Sequence, residues 1–281
     1  MVMKLCAFAD EADSRLEGQI SALKENGISL LEIRGVDGQN VSDLTTAEAK
    51  AIKERLDEAG IRVWAIGSPV GKIGVREPFG PHLDSFRRLL ETAVVLEAPN
   101  LRLFSFYLPE SEPPAVCRDE VFDRLSKLCE AAQGSGVRLC HENEKGIYGA
   151  LAPECAEIHR TLPALRAVFD PANFIQCGQD VLEAWKLLEP YVAYLHVKDA
   201  TAAGKVVPAG KGIGRLPEIL SRYAAFGGEV ATLEPHLTVF DGFAALERPE
   251  ERHDTDDYAY PTARAAFDAA AAALRGLLDE E

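Results

Sequence analysis

The stretch AYLHVKDA, residues 193–200, carries an apolar run directly into three ionisable side chains, His196, Lys198 and Asp199. One strand ending this way needs no explanation, because strands end at polar surfaces. The pattern matters if neighbouring strands end in the same way. Seven further short, β-prone runs occur, near residues 4–9, 30–35, 62–68, 100–106, 137–143, 165–170 and 229–235, beside the run at 192–199 that holds the opening stretch. Their starts lie about 26 to 38 residues apart, the span of one strand–helix unit.

Helical patterns fill the gaps. SRLEGQISALKENG places Leu16, Ile20 and Leu23 on one face and stops at Gly27. TAEAKAIKERLDEAG offers Thr46 as a cap, an apolar face through Ala49, Ile52 and Leu56, and Gly60 as its end. DSFRRLLETAVVLEA, VFDRLSKLCEAAQGSG, PECAEIHRTL, VLEAWKLLEPY, RLPEILSRYAAFGG and the alanine-rich YPTARAAFDAAAAALRGLLDE follow the same plan. Strands alternating with helices predict a parallel α/β sheet, and eight such units predict a closed (β/α)8 TIM barrel, one domain over residues 1–281. No GxGxxG or GxxxxGK[ST] follows the first strand, which argues against a nucleotide-binding doubly wound sheet. Two long connections, 67–83 and 198–214, are expected to line an active site on the barrel's C-terminal rim.

Bulk properties narrow the function. The 281 residues are 47% hydrophobic, with no apolar run near the roughly 20 residues that span a bilayer. The N-terminal MVMKLCAFADEAD is too short in its apolar part, and too soon acidic, for a signal peptide, so a cytoplasmic protein is expected. Six cysteines without a CxxC pair read as reduced thiols. A net charge of −15 repels phosphate backbones and anionic lipid, which disfavours nucleic acid and membrane partners.

A parallel barrel delivers every strand's C-terminal end to one rim. The fifth strand brings Glu142 and Glu144, the sixth Asp170 and Asn173, the seventh His196 and Asp199, and the eighth Glu234 and His236. Like charges gathered there cost free energy unless a cation compensates. Three carboxylates and one neutral imidazole suit Mn²⁺ or Mg²⁺, tolerate Co²⁺ or Zn²⁺, and do not suit copper. Alternation puts Cys140, Glu142 and Glu144 on one face, so parity does not separate the two glutamates. Glu142, nearer the regular strand, is taken as the ligand, with Glu144 and Lys145 one step into the loop.

The segments HENEKGIYG, FDPANF, HVKDA and LEPH, in this order, and IGSPVGKIG in the third loop, resemble the sugar phosphate isomerase/epimerase group of xylose isomerase-like TIM barrels. The resemblance implies a divalent metal held by Glu142, Asp170, His196 and Glu234, completed by hydroxyl and carbonyl oxygens of a sugar or polyol substrate. Relatives often assemble as dimers or tetramers, so a homo-oligomer is expected, although no interface is legible. Many relatives carry His three residues after the Asp; Asn173 stands there in this chain, and an Asn cannot act as a titrating base.

The chemistry such a site implies is isomerisation or epimerisation through an enediolate, with Glu142 and Glu234 as the proton-transfer pair. Loss of a β-hydroxyl from the same species would make the protein a dehydratase or lyase on an inosose or keto-sugar. Asn173, His236, Lys198, Lys145, Lys72 and Arg34 are substrate-binding candidates, with Arg34 equally placed to pair with Glu32 or Glu11. Asp199 is a candidate for orienting a neighbour of His196, and Glu144 for support around Glu142. His82, His159 and His253 are given no role. An endonuclease IV-like phosphodiesterase shares the barrel but gathers several zinc ions with many histidines, whereas the six histidines here are scattered. A non-enzymatic ligand-binding barrel is the remaining reading.

Overall fold

A strand in a closed barrel shows alternate side chains to the interior and to the surrounding helices, so one sequence register fixes both cores. The computed structural model of the protein describes residues 3–238, 258 and 260–279, and His253 lies outside them. The barrel strands are β1 (Lys4–Ala7), β2 (Leu30–Ile33), β5 (Arg62–Gly67), β6 (Asn100–Leu103), β7 (Arg138–Glu142), β8 (Arg166–Phe169), β9 (Val192–Val197) and β12 (Val230–Leu233). They close in chain order, β12 pairing back to β1, and every pair is parallel. This is the expected (β/α)8 barrel, a single domain, with all eight strands where the sequence places them. Two short hairpins, β3 (Gly35–Val36) with β4 (Gln39–Asn40) and β10 (Asp199–Ala200) with β11 (Val206–Val207), stand on the rim and were not foreseen.

The helices are α1 (Leu16–Glu25), α2 (Thr46–Glu58), α3 (Phe79–Val95), α4 (Pro114–Ala132), α5 (Ala152–Thr161), α6 (Pro171–Gln176), α7 (Val181–Leu188), α8 (Leu216–Ala225) and α9 (Ala263–Asp279). Their apolar faces carry Leu23, Leu56, Phe86, Leu125, Ile158, Trp185 and Ile219 into one large core with Leu31, Leu101, Phe169 and Leu195 from the outward faces of the strands. Full burial of each such side chain stabilises by about 1.5–3 kcal/mol. Thr45, not Thr46, caps α2. Its hydroxyl accepts the Glu48 N–H at 3.2 Å while Glu48 accepts the Thr45 N–H at 2.8 Å, a closed capping box. The short α6 was also not foreseen. Asp170 is its N-cap, accepting the Asn173 N–H at 2.9 Å, and Pro171 opens it.

The barrel interior is a separate and narrower core. Cys6, Leu30, Ala65, Cys140, Val168, Tyr194 and Val230 fill it. Cys6, Ala65 and Cys140 are small, and two charged side chains, Glu32 and Arg102, are buried in the barrel beside them. Among the described residues no helix is long and apolar enough to cross a membrane, and all six cysteines are free.

The third loop is held tightly to the barrel. Gly71 has φ +89°, donates its N–H to His82 Nε2 at 2.9 Å, and packs so closely on Phe104 that an added Cβ would collide with the Phe104 carbonyl. The loop is therefore a fixed wall of the rim. Gly71→Ala must strain its own backbone and displace this loop, so stability should fall by about 2 kcal/mol or more, measured by urea unfolding. An unchanged midpoint would show that the loop is not held by this contact.

Candidate metal centre

Two residues above the interior layer the alternation brings functional groups to the rim. Cys140 is followed on its face by Glu142, Val168 by Asp170, Tyr194 by His196 and Thr232 by Glu234. Glu142, Asp170, His196 and Glu234 are all buried, and each offers a donor atom within 4.8 Å of the others. His196 Nδ1 lies 3.0 Å from Glu142 Oε1 and 3.3 Å from Glu234 Oε2. Its other nitrogen, Nε2, faces away and lies 3.1 Å from Glu32 Oε2.

The group has the properties a hard divalent ion requires. It presents three oxygens' worth of carboxylate and one imidazole nitrogen on a single point. Asp170 Oδ2 is fully buried and accepts no hydrogen bond among the described residues; Lys198 Nζ, 3.0 Å away, meets it as a charge contact only. A buried carboxylate oxygen left without a hydrogen bond is what a ligand position looks like before its ion is added. This cluster could hold a metal. A second grouping, Glu11, Glu234 and His236, already has its cation: the Arg34 guanidinium reaches Glu11 Oε1 at 3.1 Å and Glu234 Oε1 at 3.3 Å.

The remaining candidates divide by location. Lys198 sits inside the cluster, 3.0 Å from Asp170 Oδ2 and 3.4 Å from Glu234 Oε2. Asn173 Nδ2 donates to Glu142 Oε1 at 3.3 Å and to the Asn143 carbonyl at 2.9 Å, so it steadies Glu142. His236 is buried beside Glu11 and Glu234, its backbone N–H bonded to Glu11 Oε2 at 2.8 Å and its φ at +45°. Arg34 pairs with Asp10, Glu11 and Glu234. Lys72 Nζ lies 3.3 Å from Glu144 Oε2 and over the Phe104 ring, farther out on the rim. Glu144 and Lys145 are half-buried in the following loop, and Glu144 is not part of the four-residue cluster.

Asp199 does something other than orient a neighbour of His196. Its carboxylate accepts the backbone N–H groups of Ala200, Gly210, Gly212 and Gly214 at 2.8–3.0 Å, and so ties down the whole seventh loop. The glycines are needed because a Cβ at 212 or 214 would strike this carboxylate. The sequence reading did not single out Arg102 or Asp10, and it named Glu32 and Glu11 only as possible partners of Arg34, of which Glu11 is one. Arg102 Nη1 donates to Glu142 Oε2 at 3.1 Å, and its guanidinium lies between the Phe8 and Phe104 rings. The inward parity of Glu32 and Arg102 was available from the sequence; their partners were not.

The profile of the xylose isomerase-like TIM barrel family matches residues 20–254. The chain belongs to this family. No curated protein sequence matches the chain. Solved structures of similar shape include the IOLI protein with a binding zinc atom, 18% identical over 99% of each chain with a TM-score of 0.76. An L-ribulose 3-epimerase is 16% identical over 100% of this chain and 95% of that one, with a TM-score of 0.75. The probable 3-DHS dehydratase AsbF of Bacillus anthracis is 16% identical over 98% of this chain and 99% of that one, with a TM-score of 0.74. At these identities the likeness concerns the shared barrel.

Burial and crowding perturb the rim carboxylates strongly. Burial raises Asp170 to about 7, with Lys198 opposing and Glu234 and Glu142 adding to the rise. Burial likewise raises Glu11 to about 8 against the pull of Arg34. For Glu234 burial pushes up, but Lys198, His236 and His196 outweigh it and hold it well below the usual range. For His196 burial pushes down, and Glu142, Glu32 and Glu234 outweigh it, so the ring is raised well above its usual value. For Glu144 burial pushes up, but Lys72 and Lys198 hold it below its ordinary value.

These shifts fix a sign. Glu11 and Asp170 lie above their unfolded values of about 4, so the folded, ion-free protein keeps protons that the unfolded chain releases between about pH 4 and 8. His196 acts the same way, its contribution being full below about pH 6.5 and lost as pH rises through the folded value. His82, His141, His159 and His236 are held below their ordinary value by burial and act in the opposite sense while the unfolded chain's histidines titrate, so unfolding free energy of the ion-free protein should fall as pH rises from about 7 to 8.5. A rise with pH in chelator-treated urea titrations would contradict this electrostatic description.

Proposed function

We propose that this protein is a divalent-metal-dependent isomerase or epimerase that moves a proton beside the carbonyl of a small sugar, keto-sugar or sugar phosphate. The observation that carries the reading is the placement of Glu142 and Glu234, from non-adjacent strands, on either side of His196 Nδ1 at 3.0 and 3.3 Å, with Asp170 completing the cluster. Glu142, Asp170, His196 and Glu234 would hold the ion. When bound, the ion supplies positive charge that stabilises an oxyanion beside the carbon losing its proton.

The chain's own residues do the rest. One carboxylate of the Glu142–Glu234 pair takes the proton onto an oxygen, and the other returns one. Return to the opposite face of the same carbon gives an epimer; return to the adjacent carbon gives an aldose–ketose isomer. Arg102 and Asn173 keep Glu142 in place through its two oxygens, and Lys198 and Arg34 do the same for Glu234. Lys198, Asn173 and His236 are the donors beside this pair that substrate oxygens would meet.

A dehydratase is the second reading, since the same proton removal followed by departure of a β-hydroxyl releases water. A probable 3-DHS dehydratase among the structures of similar shape supports keeping this reading. Product analysis separates the two. The net charge of −15 and the small rim speak for a soluble small substrate over a nucleic acid.

The experiment is elemental analysis of protein purified without added metal, followed by a screen of keto-sugars and inososes for deuterium uptake from D₂O. Bound divalent metal and exchange next to a carbonyl are expected. Asp170→Asn should lose both metal and turnover. Glu142→Gln should keep the fold and lower turnover by about 10²–10⁴-fold, the usual contribution of a general acid–base group. Undiminished turnover in the metal-free Asp170→Asn protein would overturn the assignment.

A further inference from the structure

Beneath the rim, three side chains form a line that the proton-transfer scheme does not use. Tyr194 Oη lies 3.0 Å from Glu32 Oε1, and Glu32 Oε2 lies 3.1 Å from His196 Nε2. Glu32 and His196 are completely buried, as is Tyr194. A carboxylate only accepts hydrogen bonds, so both of its neighbours must donate: the tyrosine through O–H and the imidazole through Nε2–H. Nδ1 faces the Glu142 and Glu234 carboxylates, so the ion-free ring near neutral pH carries a proton on both nitrogens. Those two carboxylates have cations of their own in Arg102, Arg34 and Lys198, whereas among the described residues Glu32 is bonded to Tyr194 and the ring, so the proton that leaves first is the one on Nδ1, and the lone pair then faces the rim. Phe8 packs edge-on against the ring, with centroids 5.2 Å apart, and Tyr194 lies tilted against it at 5.6 Å.

We propose that Glu32 is a positioning residue: by accepting the Nε2–H of His196 it fixes the ring tautomer that leaves Nδ1 as the electron-pair donor to the rim cluster, with Tyr194 holding Glu32 in turn. This rests on the metal-site reading above, but its first consequence, the tautomer, is a property of the protein alone. The interaction spans the barrel from β2 to β9. A partner that orients a ligating histidine commonly governs metal affinity by about 10–100-fold.

The test uses full-length protein labelled with ¹⁵N-histidine, long-range ¹H–¹⁵N spectra at a pH where the ring is neutral, and Zn²⁺ affinity by chelator competition. Wild type should show His196 protonated at Nε2, with Nδ1 shifting on addition of Zn²⁺. In Glu32→Gln the amide can turn either its oxygen or its NH₂ toward the ring, so the tautomer should become mixed and Zn²⁺ affinity should fall about 10–100-fold. Tyr194→Phe leaves the Glu32–His196 bond intact and should keep the tautomer, with affinity within about fivefold, the scale of one neutral hydrogen bond. A wild-type His196 protonated at Nδ1 overturns the proposal even if the Glu32 variants do not fold. So does a Glu32→Gln protein with unchanged tautomer and unchanged affinity. Wild type that shows the Nε2–H tautomer but binds no Zn²⁺ would sink the metal reading of the rim and leave Glu32's hold on the ring supported.

Discussion

The structure depends on how acidic groups from adjacent strands are held together out of water. Glu142, Asp170 and Glu234 meet at one point, and Glu32, Asp10 and Glu11 stand close behind them, all buried. Two carboxylates about 4 Å apart repel by about 4 kcal/mol at an effective dielectric constant of 20. The fold answers with three buried cations. Arg34 spans Asp10, Glu11 and Glu234; Arg102 reaches Glu142; Lys198 lies between Asp170 and Glu234. The acids still outnumber these partners, in keeping with the rise of Glu11 and Asp170 above the usual carboxylate range. A divalent ion would supply the charge that is missing.

The same arrangement explains how the barrel is built. A barrel interior is ordinarily filled by branched aliphatic layers. In this chain the interior carries Cys6, Ala65 and Cys140, small side chains beside which Glu32 and Arg102 are buried. Those two residues do more than fill space. They reach upward, Glu32 to His196 and Arg102 to Glu142, so that the supports of the rim are set in the rigid part of the fold. The loops contribute in a complementary way. Asp199 gathers four amides of the seventh loop, and Gly71 seats the third loop on Phe104, so both long connections have fixed courses beside the site.

Much of this was legible in the sequence because barrels obey strong local rules. Strand period, helix caps and unit length placed all eight strands, and the common rim made HENEKG, FDPAN, HVKDA and LEPH a single constellation. What escaped was what depends on pairing across the barrel. Arg34 had two equally good candidate partners in sequence; only the closed geometry gives it Asp10, Glu11 and Glu234. Glu32 has the inward parity of Arg34, but its bond to His196 joins residues 164 apart along the chain. Asp199 was read by its nearness in sequence to His196, yet its oxygens point the other way, into four glycine-loop amides. The cap at Thr45 instead of Thr46 is a smaller case: two adjacent threonines look alike, and Glu48 three residues on selects the first.

The most direct test is diffraction from crystals grown with excess manganese, recorded for anomalous scattering. The account predicts an anomalous peak bounded by Glu142, Asp170, His196 and Glu234, with His196 presenting Nδ1 to it and Glu32 bonded to Nε2. A rim that shows no anomalous peak, or one in which these four side chains turn away from each other, would contradict it.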